Sequence, residues 1–376
     1  MANTTPPSLP ISRWSDPASL VIGARVVVRR RLTATGPDGT HLTDVIGTVL
    51  SLEPLIIRRH TAGTPDDDIT IDPDLVTVIK PLPAHPVRNS DIRAIEHAYA
   101  LAFPGVVHHE WVDGWLVRVG DGITERSNSA IPLEPHTAFS AVPIDAIRDI
   151  YRQHGLPTLI AAPDRIARPA FRMPGEWTRG PDIITMTKEL HTTTATGDTT
   201  EDSTNPHTGR QVHTNPTADP SIEITWDITD HPTDDWLSLY HFRGRPLPAS
   251  ALQHLSHSID GLVGFGHLRV NGTTVAITRG TITRSPDGRT WLGYSAVNVA
   301  QSYRRQGLAT RLGTIMMNWG AHHGADNAYL HVIESNVPGR ALYHSLGFGD
   351  HHRHRYLTDT SPLRMTLSHH QGSPSA

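Results

Sequence analysis

Hydrophobic and polar positions change their spacing along the chain, which predicts an α+β protein of several domains. Between residues 19 and 83, alternating runs such as ARVVVRRRL and TDVIGTVLSL are separated by the turn sequences PDG and TAGTPDD. Five short strands in this length predict a small all-β domain, which we interpret as an SH3-like barrel. Residues 1–18 are rich in Pro, Ser and Thr, so we predict a disordered tail there.

A helix and strand pattern occupies residues 87–190. It contains a helix from Ser90, the strands GWLVRV and ITERSNSAIPL, the helix DAIRDIYRQHG, and the strands PTLIAA and DIITMTKEL. Residues 191–220 have Val212 as their only sizeable apolar residue, which predicts a flexible linker.

A similar order of elements returns in residues 221–360. It begins with the strand SIEITWDI, and ALQHLSHSIDGL is predicted to be helical. Residues 361–376 are interpreted as the end of a strand and a tail. The chain is therefore predicted to be a tandem of related units behind the small β domain.

The segment from Thr290 to Gly324 has the strongest pattern in the chain. The strand TWLGYSAVNV runs into a polar turn, and a helix is predicted to begin near Arg304. Two arginines and the small residues Gly307 and Ala309 lie where the helix starts. Unpaired N–H groups and the positive end of the dipole at such a start suit a pyrophosphate. An ordinary strand–turn–helix with a glycine that relieves crowding is the alternative.

Two motifs in this region resemble those of the GNAT superfamily of N-acetyltransferases. Val297-x-Val299 followed by Arg304-x-x-Gly307-x-Ala309 is similar to its acetyl-CoA motif. The second motif is matched by Asn336, Leu342, Tyr343, Gly347 and Phe348, with Gly339 in place of the usual alanine. The resemblance implies the mixed-sheet GNAT acyltransferase fold, with a degenerate first copy in 87–190 and the catalytic domain in 221–360. It also implies direct transfer of an acetyl group from acetyl-CoA to a primary amine in a ternary complex, the amine belonging to a small molecule or to a lysine or N-terminus of a protein.

The same resemblance assigns roles to individual residues. The backbone of Val297 and Val299 would pair with the pantetheine, and the N–H of Val299 would stabilise the oxyanion. Asn336 would bind the pantetheine or a bridging water, and Tyr343 would protonate the departing thiolate. The pyrophosphate cradle would be formed by Arg304, Arg305, Gln306, Gly307, Leu308, Ala309 and Thr310.

The general base is the least determined part of the predicted site. Several family members carry a glutamate five residues before the asparagine, where this chain has His331. An imidazole titrates near neutral pH and could accept the proton of the amine. Because the chain has 25 histidines, one histidine is weakly informative. Glu334, water, or an amine that arrives already neutral are the alternatives.

Composition excludes several other classes of site. The chain has no cysteine, which removes disulfides, thiolate nucleophiles and Cys-ligated zinc. The run His351-His352-x-His354 has no carboxylate or cysteine framework of a metal site around it, so we interpret it as a surface run and expect no metal. The formal charge of −4 argues against nucleic acid as the main partner.

No apolar run is long enough to span a membrane and no secretory signal is visible, so a cytoplasmic location is expected. The sequence leaves the oligomeric state open.

A non-catalytic module is the alternative function. It would bind CoA as a sensor, while the barrel contacts nucleic acid or a protein partner through the run Arg29–Arg31.

Two further features bear on possible sites. Gly264-Phe265-Gly266 lacks the third glycine of a dinucleotide fingerprint, so a strand bulge is predicted there. The first copy lacks the acetyl-CoA motif, but four of its residues could line the acceptor cleft: Trp111, Trp115, Arg118 and Arg126.

Overall fold

The computed structural model describes most of the chain in two compact units, Met1–Val87 and Arg88–Ala376. The described residues are 9–12, 15, 19–32, 41–59, 67–82, 87–190, 208–212, 223–242, 245–246 and 261–361. Most of the predicted tail and linker lies outside these ranges, as does the predicted helix ALQHLSHSIDGL except for its last two residues.

The first unit contains a five-stranded antiparallel sheet in the order β4-β3-β2-β1-β5. Its strands are β1 (Arg25–Arg31), β2 (Leu42–Leu52), β3 (Leu55–Arg59), β4 (Asp67–Ile71) and β5 (Val76–Pro81). Apolar residues at alternate positions pack into one core that includes Val26, Val28 and Ile57. The polar face of the sheet carries cross-strand ion pairs, and Arg29 of the arginine run forms a bidentate pair with Asp44.

The second unit is built on one large mixed sheet flanked by helices. Its helices are α1 (Asn89–Ala102), α2 (Ile144–Gln153), α3 (Asp234–Leu239), α4 (Leu308–His322) and α5 (Val337–Ser345). Its first strands are β6 (His108–Val112), β7 (Trp115–Val119), β8 (Ala130–Pro132), β9 (Leu159–Pro163), β10 (Trp177–Arg179), β11 (Ile183–Glu189) and β12 (Thr208–Val212). The remaining strands are β13 (Glu223–Thr229), β14 (His241–Phe242), β15 (Arg245–Pro246), β16 (Leu262–Val270), β17 (Thr273–Arg284), β18 (Thr290–Val299), β19 (Asn327–Ile333) and β20 (Gly349–Asp359).

The centre of this sheet has a symmetric strand order, β18-β19-β11-β20-β9-β8. The outer pairs β18·β19 and β8·β9 are parallel, and the inner pairs are antiparallel. The last strand of the first half, β11, therefore lies beside β19 of the second half, and β20 lies beside β9. The two halves of the predicted tandem are joined by exchange of their final strands.

Several segments differ from their predicted structure. The sequence HHEWV forms β6, which was not predicted. Its first three residues are all polar, so they do not show the alternation of apolar and polar residues that indicates a strand. In ITERSNSAIPL only Ala130–Pro132 is a strand, and Glu125–Ser127 is a 3-10 turn. Within the predicted linker, Thr208–Val212 pairs with β13, so residues 208–212 are part of the sheet.

Glycines allow α4 to lie close to the sheet. A Cβ added at Gly280 would come within 2.4 Å of the Met316 sulfur, and one at Gly264 within 2.9 Å of the Trp319 ring. The irregularity between β16 and β17 lies at Leu268 and Arg269, so the predicted bulge at Gly264-Phe265-Gly266 is wrong. These glycines serve helix packing, which brings the start of α4 to the end of β18.

Among the described residues, no helix combines the length and the apolar character that crossing a membrane requires.

Candidate functional site

A cleft opens where β18 and β19 separate. The two strands pair only over Trp291–Gly293 and Asn327–Tyr329, although β18 continues to Val299 and β19 to Ile333. The cleft has a volume of about 410 Å³. It is lined by Val297, Asn298, Val299, Tyr303, Arg304, Arg305, Gly307, Leu308, Ala309, Thr310, Asn336, Pro338, Gly339, Leu342 and Tyr343. Of the predicted cofactor-binding set, Gln306 alone does not line it, because its side chain turns back to donate to the carbonyl of Ser302.

Some lining residues carried no signal in the sequence. Asn298, Tyr303 and Pro338 do not occupy predicted motif positions. They line the cleft because the backbone between the motif residues passes along it. Asn298 donates from its side-chain amide to the carbonyl of Leu239, 2.6 Å away, and so joins β18 to the end of α3. Long-range contacts of this kind leave no local pattern.

The backbone of β18 presents an open edge to the cleft. The N–H of Ala300 donates to the carbonyl of Val275 on β17, 2.8 Å away. Because successive backbone groups point to opposite edges of a strand, the groups of Val297 and Val299 point away from β17, toward the cleft. Ala296 has a positive φ of 55°, and the register shifts between Ile277 and Arg279 of β17 at the same place. This bulge turns β18 away from β19.

The polar turn between β18 and α4 is compact and rich in donors. The helix begins at Leu308, four residues later than predicted, because Arg305 and Gly307 take left-handed φ values of 61° and 77°. A side chain at Gly307 would meet nothing within 4 Å, so the glycine is needed for its φ and not for space. Arg304 is held in place by donating from Nε to the carbonyl of Val299, 3.0 Å away.

The second motif forms the opposite wall through α5. The side chain of Asn336 caps this helix and accepts from the N–H of Gly339 at 3.1 Å. A Cβ at position 339 would come within 2.6 Å of the Asn336 amide nitrogen. The glycine at 339, which departs from the family pattern, therefore gives the amide of Asn336 room beside the cleft.

Tyr343 lies on α5 with its ring in the aromatic core beneath the cleft. Its ring packs edge-on against Tyr294 at 6.1 Å and against Phe348 at 6.4 Å. Burial raises the pKa of Tyr343 to about 12, because the phenolate is poorly solvated there. The phenol is therefore protonated throughout the neutral range and can donate a proton or a hydrogen bond.

His331 lies outside the cleft, on the face of the sheet that α1 covers. Its ring packs at a tilt against Tyr99, with the ring centroids 4.2 Å apart, and its Nε2 lies 4.0 Å from the buried carboxylate of Glu96. Burial lowers the pKa of His331 to about 3 despite the nearby carboxylate. An imidazole with this pKa is a weak proton acceptor, so the structure gives no support to His331 as the general base.

The other proposed base is engaged elsewhere. Glu334 accepts from Arg353 at 2.8 Å in a half-exposed ion pair. Among the described residues that line the cleft, none carries a carboxylate or an imidazole.

The histidine run of β20 is not at the surface, which corrects the prediction made for it. His352 and His354 are 7% and 0% exposed, and both contact the fully buried Glu96. The carboxylate that both histidines contact comes from α1, more than 250 residues earlier. The sequence did contain one signal of this contact. Glu96 follows Ile92 by four residues, so a charged side chain lies on the apolar face of the predicted helix.

The four residues of the first half that were predicted to line the acceptor cleft lie in different surroundings. Trp111 is 48% exposed on β6, whereas Trp115 is fully buried in the core. Arg118 is buried and donates to the carbonyls of Ser129 and Phe103. Arg126 lies over the ring of Phe103 at 5.0 Å. None of them lines the cleft beside β18.

Two family models match the chain. One, described as the C-terminal region of the probable histone acetyltransferase Rv0428c, matches residues 89–357. The other, described as the Rv0428c N-terminal Sm-like domain, matches residues 20–80. The first domain is thus Sm-like, and the SH3-like interpretation is wrong. Five short alternating strands are common to many small β domains, so the pattern alone could not separate them.

Similar proteins include two curated relatives. The chain is 34% identical over 338 residues to the probable histone acetyltransferase Rv0428c of Mycobacterium tuberculosis, covering 89% of this chain and 95% of that protein. It is 30% identical over 64 residues to the uncharacterized N-acetyltransferase YobR of Bacillus subtilis, covering 17% of this chain and 26% of that protein.

Solved structures give weaker likenesses. A GCN5-related N-acetyltransferase from Kribbella flavida has a TM-score of 0.47 at 13% identity, covering 74% of this chain and 97% of that one. A tandem GNAT protein from the clavulanic acid biosynthesis pathway has a TM-score of 0.43 at 14% identity, covering 65% and 77%. Neither likeness is close enough to bear on function.

Proposed function

Because the chain belongs to the Rv0428c family and is an acyltransferase of the GNAT superfamily, we propose that it transfers an acetyl group from acetyl-CoA to a primary amine. Membership of this family confirms the predicted superfamily, fold class and class of enzyme. The donor, the acceptor and the roles of single residues make up the proposal.

The separation of β18 from β19 is the observation that carries the proposal. It leaves backbone groups of Val297 and Val299 facing an open cleft. An extended chain with amide groups can pair with such an edge as an added strand, and pantetheine has two amides. The N–H of Val299 is the donor proposed for the carbonyl oxygen of the thioester.

The turn before α4 is proposed to hold the pyrophosphate. Arg304 and Arg305 line the cleft beside the start of a 15-residue helix. The N–H groups of its first turn lack partners inside the helix, and the dipole adds positive potential there. Arginine keeps its charge at every physiological pH, so the site attracts the diphosphate over the whole working range.

Tyr343 is proposed as the general acid. The amine nitrogen attacks the thioester carbon, the C–S bond breaks, and the sulfur leaves with the electron pair. Tyr343 donates its phenolic proton to this sulfur, and the nitrogen releases one proton to water, which restores the phenol. Water is the proposed acceptor, since the cleft lining within the described ranges contains neither a carboxylate nor an imidazole. The amine accordingly enters in its neutral form.

A lysine side chain in a peptide is the first acceptor to test, because the relative that covers most of the chain is named a probable histone acetyltransferase. Thiol release from acetyl-CoA is measured with lysine peptides and with small amines. We expect turnover with at least one acceptor. Tight binding of CoA without turnover on any acceptor would instead support a CoA sensor.

Replacing Tyr343 by phenylalanine tests the acid. The ring and its packing remain while the proton donor is lost, so we expect kcat to fall by about 10²- to 10⁴-fold. Binding of CoA, measured by calorimetry, should change little. The matched control is Tyr303→Phe, which removes a hydroxyl from the same cleft at another point. An unchanged kcat in Tyr343→Phe would remove this residue from the mechanism.

A further inference from the structure

A group of polar side chains is enclosed between α1 and the exchanged strands, on the face of the sheet away from α4. The carboxylate of Glu96 is fully buried, and three histidines surround it. Its Oε1 lies 2.8 Å from His352 Nε2, 3.2 Å from His354 Nδ1 and 4.0 Å from His331 Nε2. This group belongs neither to the cleft nor to the proposed transfer of the acetyl group.

The hydrogen bonds within this group leave several of its atoms unsatisfied. Within the described part of the chain, four of its buried atoms have no hydrogen-bond partner: Glu96 Oε2, His331 Nε2, His354 Nε2 and Thr185 Oγ1. Thr185 lies directly opposite His331 on one side and His352 on the other, so the hydroxyl faces the same space. Each unsatisfied buried polar atom costs about 1–3 kcal/mol, so a cluster of four calls for a bound species.

We propose that Glu96, His331 and His354 bind a divalent transition-metal ion of the zinc class. One ligand atom from each of these residues lies within 4.8 Å of the other two. Two ligands on one tetrahedral zinc are about 3.4 Å apart, so closure requires only small side-chain movements. Imidazole nitrogen and carboxylate oxygen are ligands that zinc prefers. His352 hydrogen-bonds to the carboxylate and orients it, as outer partners do in metal sites.

The electrostatics of the cluster fit a cation. Zinc binds a neutral imidazole through a ring-nitrogen lone pair, and the Nε2 atoms of His331 and His354 make no hydrogen bond within the described part of the chain. The carboxylate of Glu96, when ionised, would offset part of the ion's charge in the interior.

The ion has a structural role in this proposal. Glu96 lies on α1, His331 on β19 and His354 on β20, so one ion would join a helix of the first half to two strands of the second. The absence of cysteine does not oppose the site, because sites of histidine and carboxylate need no thiolate.

Metal analysis of the full chain, purified without chelator or affinity tag, tests the proposal. We expect about one zinc per chain by mass spectrometry and, after chelator treatment, one tight site in a calorimetric titration with zinc. Zinc at 100-fold above its Kd should raise Tm by about 5–10 °C. Cobalt in place of zinc should give the visible absorption bands of a tetrahedral site.

Two variants and a control separate this site from adventitious binding. Glu96→Gln and His331→Asn should each lose the tight site and the cobalt bands. Of the two substitutions, His331→Asn should disturb the fold less, because the side chain of His331 is 13% exposed whereas that of Glu96 is fully buried. His322→Asn, on the exposed side of α4, should bind zinc as the wild type does. The proposal is overturned if the wild-type chain binds no stoichiometric zinc, or if Glu96→Gln or His331→Asn retains the site.

Discussion

At the scale of single residues, small side chains decide the shape of the cleft. Gly307 is required by its φ of 77°, and Gly339 by the amide of Asn336 that lies 2.6 Å from the position of an added Cβ. The two glycines have different physical reasons, although both stand at motif positions. Replacing Gly339 therefore changes the cleft without straining the backbone, whereas replacing Gly307 would force a side chain into a left-handed backbone conformation.

Gly339→Ala should weaken CoA binding and leave stability nearly unchanged. The added methyl group displaces the Asn336 side chain, which costs its hydrogen bond and raises Kd for CoA by about 2- to 10-fold. Alanine gains about 1 kcal/mol in helix propensity, which offsets the lost cap of about the same size. Calorimetry and thermal unfolding measure both effects. Asn336→Ser keeps a capping hydroxyl but shortens the side chain, so it should reproduce the loss of affinity. Wild-type affinity in both variants would exclude Asn336 from CoA binding.

Prediction from sequence succeeded where a motif is local and failed where partners are distant. The strand, turn and helix around Gly307 follow from spacing, and fifteen residues of the predicted set and its surroundings line one cleft. His331 was placed in the site by its distance from Asn336 along the chain. The actual neighbours of His331 are Tyr99 and Glu96, which come from a helix of the other half. Periodicity describes which residues share a face, but not which distant element covers it.

At the scale of elements, the contact between α4 and the sheet positions the donor site. Three glycines of β16 and β17, at 264, 266 and 280, lie under the large side chains of Met316 and Trp319. The helix can approach the strands because these positions have no Cβ. The start of α4 is thereby held beside the end of β18, where the diphosphate is proposed to bind.

Gly280→Val should move α4 away from the sheet. The new side chain overlaps the Met316 sulfur, which would lie 2.4 Å from its Cβ, and overpacking of this kind costs about 1–3 kcal/mol. We expect a lower Tm together with weaker CoA binding, because the cradle moves with the helix. Gly349→Ala is the control, since an added Cβ there meets nothing within 4 Å. Unchanged stability in Gly280→Val would show that the contact tolerates a side chain.

At the scale of the whole molecule, the exchange of β11 and β20 makes the two halves one folding unit. β11 lies between β19 and β20, and β20 lies between β11 and β9. Arg148 of α2 forms a 2.6 Å ion pair with Asp359 at the end of β20, which adds a largely buried link between the halves. The element order in the sequence indicated a tandem, but the alternation within a strand does not specify its neighbours.

Fragments covering residues 88–190 and 205–376 should therefore fold together and not alone. When they are produced in the same cells, we expect them to purify as a 1:1 complex with the spectrum of the intact unit. Each fragment alone exposes the edge of a central strand, which promotes aggregation. Circular dichroism and light scattering measure the outcome. A soluble, folded 205–376 fragment that binds CoA by itself would contradict this view of the fold.

The strand exchange also has an evolutionary consequence. The first half has a proline-containing turn, Pro135–Ala138, where the second half has its arginine-rich cradle. It nevertheless supplies β11, without which β19 keeps only its short parallel pairing with β18. Deletion of the first half would therefore remove a central strand beside the cleft-bearing half. Selection on the cleft of the second half would therefore also preserve the backbone of the first half, although the turn after β8 carries no arginine-rich cradle.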